Sequence, residues 1–402
     1  MNPSDEKATH QQIKQNNTQL VLRTIYRGRE ISRAQVARQT NLTRVTVSEI
    51  VADLIENDLV AEVGRGPSTG GKTPILLSVI DDARHLVSLD LEDEVFHGAV
   101  VNLRGQLKHT INLSRQEQGS EQALEMVYEL VEALLAQTSQ PVLGIGVGVP
   151  GLVDNLNGVV RRAVHLGWDD LPLAELLNQR YHLPVHVAND SQAAALAEYT
   201  FGKREQVKNL LAVRVGRGIG AGIVLNGHLH YGDSFGAGEI GHMRILEGGE
   251  RCGCGNYGCL ETVASSRALV RRARALHAQL AGSGQAAPLL RLAPAPEQID
   301  TDLLLRAYEA GDKTVQALVE DAGYYLGVAI AHMVSVLNVN QVVLTGSLTR
   351  FGRGLVEAVQ VQLCRGGLPL LASDTQVCIS SLGKEIVMLG AASLLMSEVG
   401  LA

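Results

Sequence analysis

The stretch that most constrains this chain is GAGEIGHMRILEGGERCGCGNYGCLE, from Gly236 to Glu261. His242, Cys252, Cys254 and Cys259 follow one another with nine, one and four residues between them. Any fold must let three thiols and an imidazole converge there, because that set is a standard closed tetrahedron for structural zinc. The glycines between the cysteines allow the tight turns this needs. The alternative is ordinary free cysteines in a reducing compartment. Yet of five cysteines in 402 residues, three fall inside Cys252–Cys259. The expectation is one structural zinc ion per chain, held by these four residues. Glu239 and Glu261 add carboxylates to the same braced loop, where they can exchange hydrogen bonds with a polyol.

A different chemistry opens the chain. Residues 1–12 are polar and read as an unstructured lead. From Asn17 to Tyr26, Leu20, Val21 and Ile25 fit one helix face, with Gly28 as a stop signal. Ser32 then caps a short helix, SRAQVARQT, and Asn41-Leu42 make a turn. Thr43 caps a third helix, TRVTVSEIVADLIEND. Its buried stripe is Val47, Ile50, Val51 and Leu54, which leaves Arg44, Thr46 and Ser48 near the exposed N-terminal end. That order reads as helix-turn-helix, in which hydroxyls hold phosphate oxygens or base edges and arginine grips guanine. A strand at Leu59–Val63, the loop GRGPSTGGKTP and a strand at Ile75–Val79 complete a winged helix. The wing carries Arg65, Ser68 and Lys72 toward a minor groove. The competing reading is a helical protein-interaction module with a glycine-rich linker. Charge favours DNA: residues 1–80 carry +2 and the remainder −9, within a total of −7, so only the N-terminal segment suits a polyanion.

The body begins near Arg84. HLVSLDLEDEVFHGAVVNLRGQLKHTINL alternates around turn signals and predicts three adjacent strands. A helix over Glu121–Ala136 and a buried strand over Val142–Val149 follow, and VPGLVD leaves that strand in a tight loop. HLPVHVANDSQAAALAEYTFG predicts a strand, Asn189-Asp190, and an alanine-rich helix, with Asp190 suited to the N-cap. NLLAVRVG and AGIVLNGHLHYG flank GRGIGAG, a phosphate-type loop or a plain hairpin. RALVRRARALHAQLAG reads as a basic, solvated helix, and GSGQAAPLLRLAPAPEQ as a surface loop. Helices from Asp302 to Leu337 precede a strand at Val342–Leu344, and SSLGKEIVMLGAASLL closes the chain as a helix. No secretory leader is legible. The longest apolar run, Tyr324–Val339, contains His332 and is short for a membrane segment. The expected setting is cytoplasmic.

GEIGH followed by CGCGNYGCLE resembles the signature of the ROK family, which unites repressors, open reading frames and sugar kinases. SRAQVARQTNLTRVTVSEIV and the STGGK-P wing resemble the N-terminal domain of its transcriptional repressors. The resemblance runs from about Asn17 to the end and is greatest to xylose-repressor-like and NagC/Mlc-type members. It implies a winged helix-turn-helix domain over 1–80. A two-lobed actin-like, ribonuclease-H-like sugar kinase fold follows over 81–402. Lobe one is expected over about 81–190 with the C-terminal helix 385–402, and lobe two over about 191–384, with the zinc loop at 239–261. It further implies sugar contacts from Asn189, Asp190, Glu239, His242 and Glu261, the histidine turning one ring nitrogen to zinc and one to sugar. In family kinases the residue matching Asp190 is the base that deprotonates the sugar hydroxyl. His165 stands near the position where relatives often carry asparagine, and Arg217 where kinases usually carry threonine.

The resemblance leaves repressor and kinase to be separated. Family kinases carry Asp-x-Gly-Gly-Thr after the first body strand, where amides cradle ATP phosphates. Here the residues are Asp90-Leu91-Glu92-Asp93-Glu94. One carboxylate about 5 Å from a phosphate charge costs roughly 3 kcal/mol at an effective dielectric near 20. The reading is therefore a non-enzymatic, sugar-responsive repressor. Its partners are inverted-repeat operator DNA and a small-molecule sugar, and it acts as a homodimer or dimer of dimers with no membrane segment. The alternative is an ATP-dependent sugar kinase with an appended DNA-binding domain.

Overall fold

The computed structural model describes residues 10–67, 73–92, 94–115, 119–202, 207–282 and 287–401. The chain divides into two compact units. One gathers Met1–Val149, Asn155–Val187 and Ala391–Ala402, the other Pro150–Asp154 and Ala188–Gly390.

The first unit opens with helices His10–Gly28, Arg33–Thr40 and Arg44–Glu56. Ser32 and Gln35 form a reciprocal capping box on the second, which satisfies donors the helix cannot. Asn41, at φ 56°, closes that helix left-handed. Thr43 caps the third helix, and Val47, Ile50, Val51 and Leu54 are its buried face, as the spacing predicts. Strands Val60–Arg65 and Ile75–Val79 pair antiparallel, and the two-residue strand Ile31–Ser32 joins the free edge of the second. The wing tip, with Ser68 and Lys72, lies outside the described residues.

Beyond the wing stands a five-stranded sheet in the order Val185–Asn189, Val142–Val149, His85–Leu91, Val95–Asn102, Leu107–Ser114. His85–Leu91 is central and buried at every position, parallel to one neighbour and antiparallel to the other. Helix Ser120–Leu135 buries Leu130, Val131 and Leu134. The C-terminal helix Ile386–Glu398 contributes its latter part to this unit. A Cβ on Gly146 would stand 2.1 Å from the Ala391 carbonyl oxygen, so only glycine permits that approach.

The second unit holds another five-stranded sheet: His228–Leu229, Ile219–Leu225, Leu210–Val215, Gln341–Thr345, Gln376–Ile379. Helix Lys313–Leu337, capped by Asp312, contributes Leu318, Leu326 and Ile330 to a core shared with the strands.

Five local expectations need correction. Helix His10–Gly28 takes in residues 10–12 of the lead expected to be unstructured, and residues 1–9 lie outside the described residues. Asn189, not Asp190, is the N-cap of helix Asp190–Phe201: its side-chain oxygen accepts from the amides of Ser191 and Gln192. VPGLVD contains a short strand, Leu152–Asp154. The Ala/Pro segment contains helix Pro288–Leu292, anchored where Asp312 accepts the Leu289 amide at 2.7 Å. The basic helix Ser266–Gly282 is also more than a solvated face. Arg271 and Arg274 donate to the carbonyls of Thr262 and Ile299, and Arg272 pairs with Asp321. Among the described residues no helix is long and apolar enough to cross a membrane.

Candidate functional site

In the second unit, the loop after Ile219–Leu225 turns through the short helix Ile240–His242. It returns to pair Arg244 with Cys259 and Arg251 with Tyr257. Gly258, at φ +70°, lies so close to the Leu246 carbonyl that a Cβ would reach 1.8 Å from it. This folding brings His242, Cys252, Cys254 and Cys259 together, with all four potential ligand atoms within 4.8 Å of one another. Cys252 Sγ is 3.6 Å from His242 Nδ1, and Cys254 Sγ is 3.7 Å from Cys259 Sγ. Burial and the neighbouring thiols push the Cys259 thiol up to about 12. The group can become three thiolates together only beside a cation, and a metal ion fits that donor set.

The other ring nitrogen of His242 faces Glu239, with Nε2 3.8 Å from a carboxylate oxygen. Partial burial raises the Glu239 carboxyl above its usual range; His242 opposes this, while Asp190 and Glu261 add to it. Strand Ile219–Leu225 brings these groups into one neighbourhood: the Ile219 amide meets Glu261, the Ile219 carbonyl abuts Gly241 beside His242, and Gly220 abuts Ser191 beside Asp190. Glu261 opens helix Glu261–Ala264 and accepts the Ile219 amide at 3.2 Å, which ties the loop to the turn at Gly218. Asn189 is committed locally: besides capping, its amide donates to the Gly151 carbonyl at 2.8 Å.

Asp190 has a partner that the sequence did not disclose. One oxygen accepts from the Ser191 amide and hydroxyl at 2.6 and 3.1 Å. The other lies 3.0 Å from Arg214 Nη1, with the two side chains only 10% and 12% exposed. Arg214 sits on strand Leu210–Val215 as one polar residue among apolar ones. A lone arginine in a buried strand was the available signal.

The first unit holds two further sets of predicted residues. On the recognition helix, Thr43, Arg44 and Ser48 are exposed and Thr46 is half-buried. The Thr43 hydroxyl accepts the Thr46 amide at 3.1 Å and lies 2.9 Å from the Thr46 hydroxyl. Arg44 and Ser48 are exposed and take no part in that cap, and Arg65 is exposed at the end of the wing strand. Val45, 68% exposed, also falls off the buried stripe. At the end of the central strand, Asp90 is opposite His97 in register and buried. His97 Nδ1 is 2.7 Å from Asn112 Oδ1, and its Nε2 is 3.8 Å from Glu92. The Glu92 contact leads in raising the imidazole above its ordinary value, against burial. Asp93 lies outside the described residues, while Glu94 accepts the Arg115 amide through its carbonyl.

Comparison with known proteins gives these arrangements a context. A profile of the ROK family matches residues 86–398, and one for a winged helix DNA-binding domain matches residues 15–72. The xylose repressor of Caldicellulosiruptor bescii is 30% identical over 395 residues, covering 97% of this chain and 98% of that protein. The DNA-binding transcriptional dual regulator NagC of Escherichia coli is 30% identical over 375 residues, 90% and 89% of the two chains. The crystal structure of a ROK transcriptional regulator, a homologue of the Escherichia coli MLC protein, superposes with a TM-score of 0.83. It is 28% identical and covers 97% of this chain and 98% of its own. A ROK glucokinase from Streptomyces griseus, solved with glucose and AMPPNP, reaches 0.70 at 27% identity, covering 77% of this chain and 98% of its own. A family match across most of the body, relatives aligned nearly end to end and a winged helix at the front leave one conclusion: the chain belongs to the ROK family.

Proposed function

We propose that this protein is a sugar-responsive DNA-binding transcriptional regulator, a repressor of carbohydrate-utilisation genes released from its operator by a bound sugar. Residues 1–80 read DNA and residues 81–402 receive the sugar. The observation that carries the reading is the Glu239, His242, Glu261 and Asp190 neighbourhood, in a chain that also presents Arg44 and Ser48 on an exposed helix end. Carboxylates and a fixed imidazole accept and donate to vicinal hydroxyls, and relatives aligned over nearly the whole chain are named xylose repressor and N-acetylglucosamine repressor.

The metal is zinc in a structural role. A tetrahedron with Zn–S near 2.3 Å and Zn–N near 2.0 Å spaces its sulfurs about 3.8 Å apart, and sulfur from nitrogen about 3.5 Å. The distances of 3.7 and 3.6 Å fit that set. His242, Cys252, Cys254 and Cys259 would hold the zinc and so brace the loop, leaving His242 Nε2 for the sugar. Asp190 acts as an acceptor steadied by Arg214, and Asn189 positions it.

The kinase alternative draws on the glucokinase likeness. Against it, Glu92, Asp93 and Glu94 stand where a kinase carries the Gly-Gly-Thr that meets phosphate, and Asp190 is held in an ion pair. A homodimer or dimer of dimers reads an inverted repeat, with half-site centres a whole number of helical turns apart. A thermal-shift screen of aldopentoses, hexoses and N-acetylated sugars tests the reading. A ligand at about 100 times its Kd adds roughly 2.7 kcal/mol. The reading expects a shift with at least one sugar and no ADP release from ATP with any. Sugar-dependent ADP release would establish the kinase instead.

A further inference from the structure

Within the first unit, the winged helix meets the following sheet at a seam held by specific polar contacts. Arg104 lies in the turn between Val95–Asn102 and Leu107–Ser114. Its Nη1 donates to the Tyr26 carbonyl at 2.6 Å, and its Nε to Asp81 Oδ1 at 3.0 Å. The guanidinium carbon also stands 4.3 Å from the Tyr26 ring centroid. One side chain, 16% exposed, thus joins the first helix, the connector after the wing and the body. Tyr26 belongs to the last turn of helix His10–Gly28, where carbonyls lack helical donors and carry partial negative charge. A planar guanidinium can serve a carbonyl, a carboxylate and a ring face together.

The turn that presents Arg104 is itself fixed. Fully buried Asn102 accepts the amides of Arg104 and Gln106, each at 3.0 Å, and the Leu103 amide donates to the Asp81 carbonyl at 3.0 Å. Elsewhere on the seam, Arg84 reaches the Asn57 carbonyl at 3.0 Å. An open groove of about 510 Å³ runs along the seam, bordered by Leu22, Leu54, Leu103 and Leu401 and by Lys14 and Arg84. Apolar contact beside such a groove is non-directional, so the polar clips carry more of the orientation.

We propose that Arg104 is the positioning residue that fixes the DNA-reading head to the first lobe, so that the two turn as one body. Rotation of that lobe then reaches the recognition helix without slack. Pulsed electron-resonance distances test this directly in full-length protein. Keto amino acids at exposed Glu49 and Glu129 carry the spin labels, leaving the cysteines untouched, and labelled chains are diluted with unlabelled ones. The wild type should give one narrow distribution, R104A one at least twice as wide, and R104K an intermediate width, because an ammonium cannot serve all three partners. A distribution as narrow in R104A as in wild type overturns the proposal.

A second arm reads function, and it rests on the sugar-responsive reading above. It uses an operator fragment selected in vitro by the wild type, with D-xylose or N-acetylglucosamine as probe, whichever stabilises the wild type more. R104A should keep each separate affinity within about twofold while the factor linking them falls to a third or less. Full coupling in R104A overturns the proposal. Absence of coupling in the wild type overturns the sugar-responsive reading instead, and the distance measurement alone then decides the role of Arg104.

Discussion

On the proposed reading, the loop Gly236–Glu261 and the turn after His85–Leu91 correspond to the two places where a family sugar kinase would bind its substrates, and they have diverged. The loop gathers Glu239, His242 and Glu261 around a potential metal tetrahedron, an arrangement suited to hydroxyl groups. The turn carries Glu92, Asp93 and Glu94 where family kinases carry Gly-Gly-Thr, and its Glu92 engages His97. On that reading one region keeps the chemistry of sugar recognition, while the other fills a phosphate position with anionic side chains. Sugar recognition and phosphate handling are thus separable, because separate stretches of chain carry them.

The largest expected effect falls on the loop. Cys254→Ser should abolish stoichiometric metal and lower stability by several kcal/mol, since a structural site is formed only in the folded chain. Sugar affinity should fall with it. Metal analysis of chelator-free protein and a sugar titration check both losses, and metal-free wild-type protein that still binds sugar would break the link between brace and recognition.

Asp190→Asn comes next. It leaves Arg214 buried without its carboxylate, which should cost about 3 kcal/mol, and it should yield a repressor that sugar no longer releases. Adding Arg214→Gln should recover part of the stability but none of the response. Chemical denaturation and an operator-binding assay separate the two effects.

On the DNA side, Arg44→Ala should relax base preference at a cost of roughly 1–3 kcal/mol. Binding to a panel of operator variants measures it. The smallest effect concerns the carboxylate turn. His97 titrates above its usual 6.5, so its stabilising contribution is complete below that value and is lost as pH rises through the raised one. Glu92→Gln should bring the His97 midpoint down, as followed by imidazole proton resonances. An unchanged midpoint would show that Glu92 does not act on this ring.

Local chemistry explains which parts were legible in the sequence. The Ser32 and Thr43 caps and the stripe Val47, Ile50, Val51, Leu54 depend on neighbours within a few residues, and the structure follows them. The metal cluster was legible because its ligands are close in the chain and rare elsewhere. The Asp190–Arg214 pair was not, because it depends on a helix and a strand meeting in space. Asn189 and Asp190 are both good caps, and only the point where the strand ends decided between them. The two-residue strand Ile31–Ser32 is too short for periodicity to show. Helix Pro288–Leu292 depends on Asp312, more than twenty positions away, which binds its Leu289 amide.

The central claim is that sugar and operator compete through the protein, and linkage makes it directly measurable. Sugar releases DNA only through a difference in affinity between two arrangements of the protein. A coupling of about 1–3 kcal/mol corresponds to 5–150-fold, and operator must weaken sugar binding by the same factor. The decisive experiment titrates the effective sugar into wild-type protein with and without saturating operator DNA. A sugar Kd raised at least fivefold by the operator is the predicted result, and an equal Kd in both titrations would contradict it.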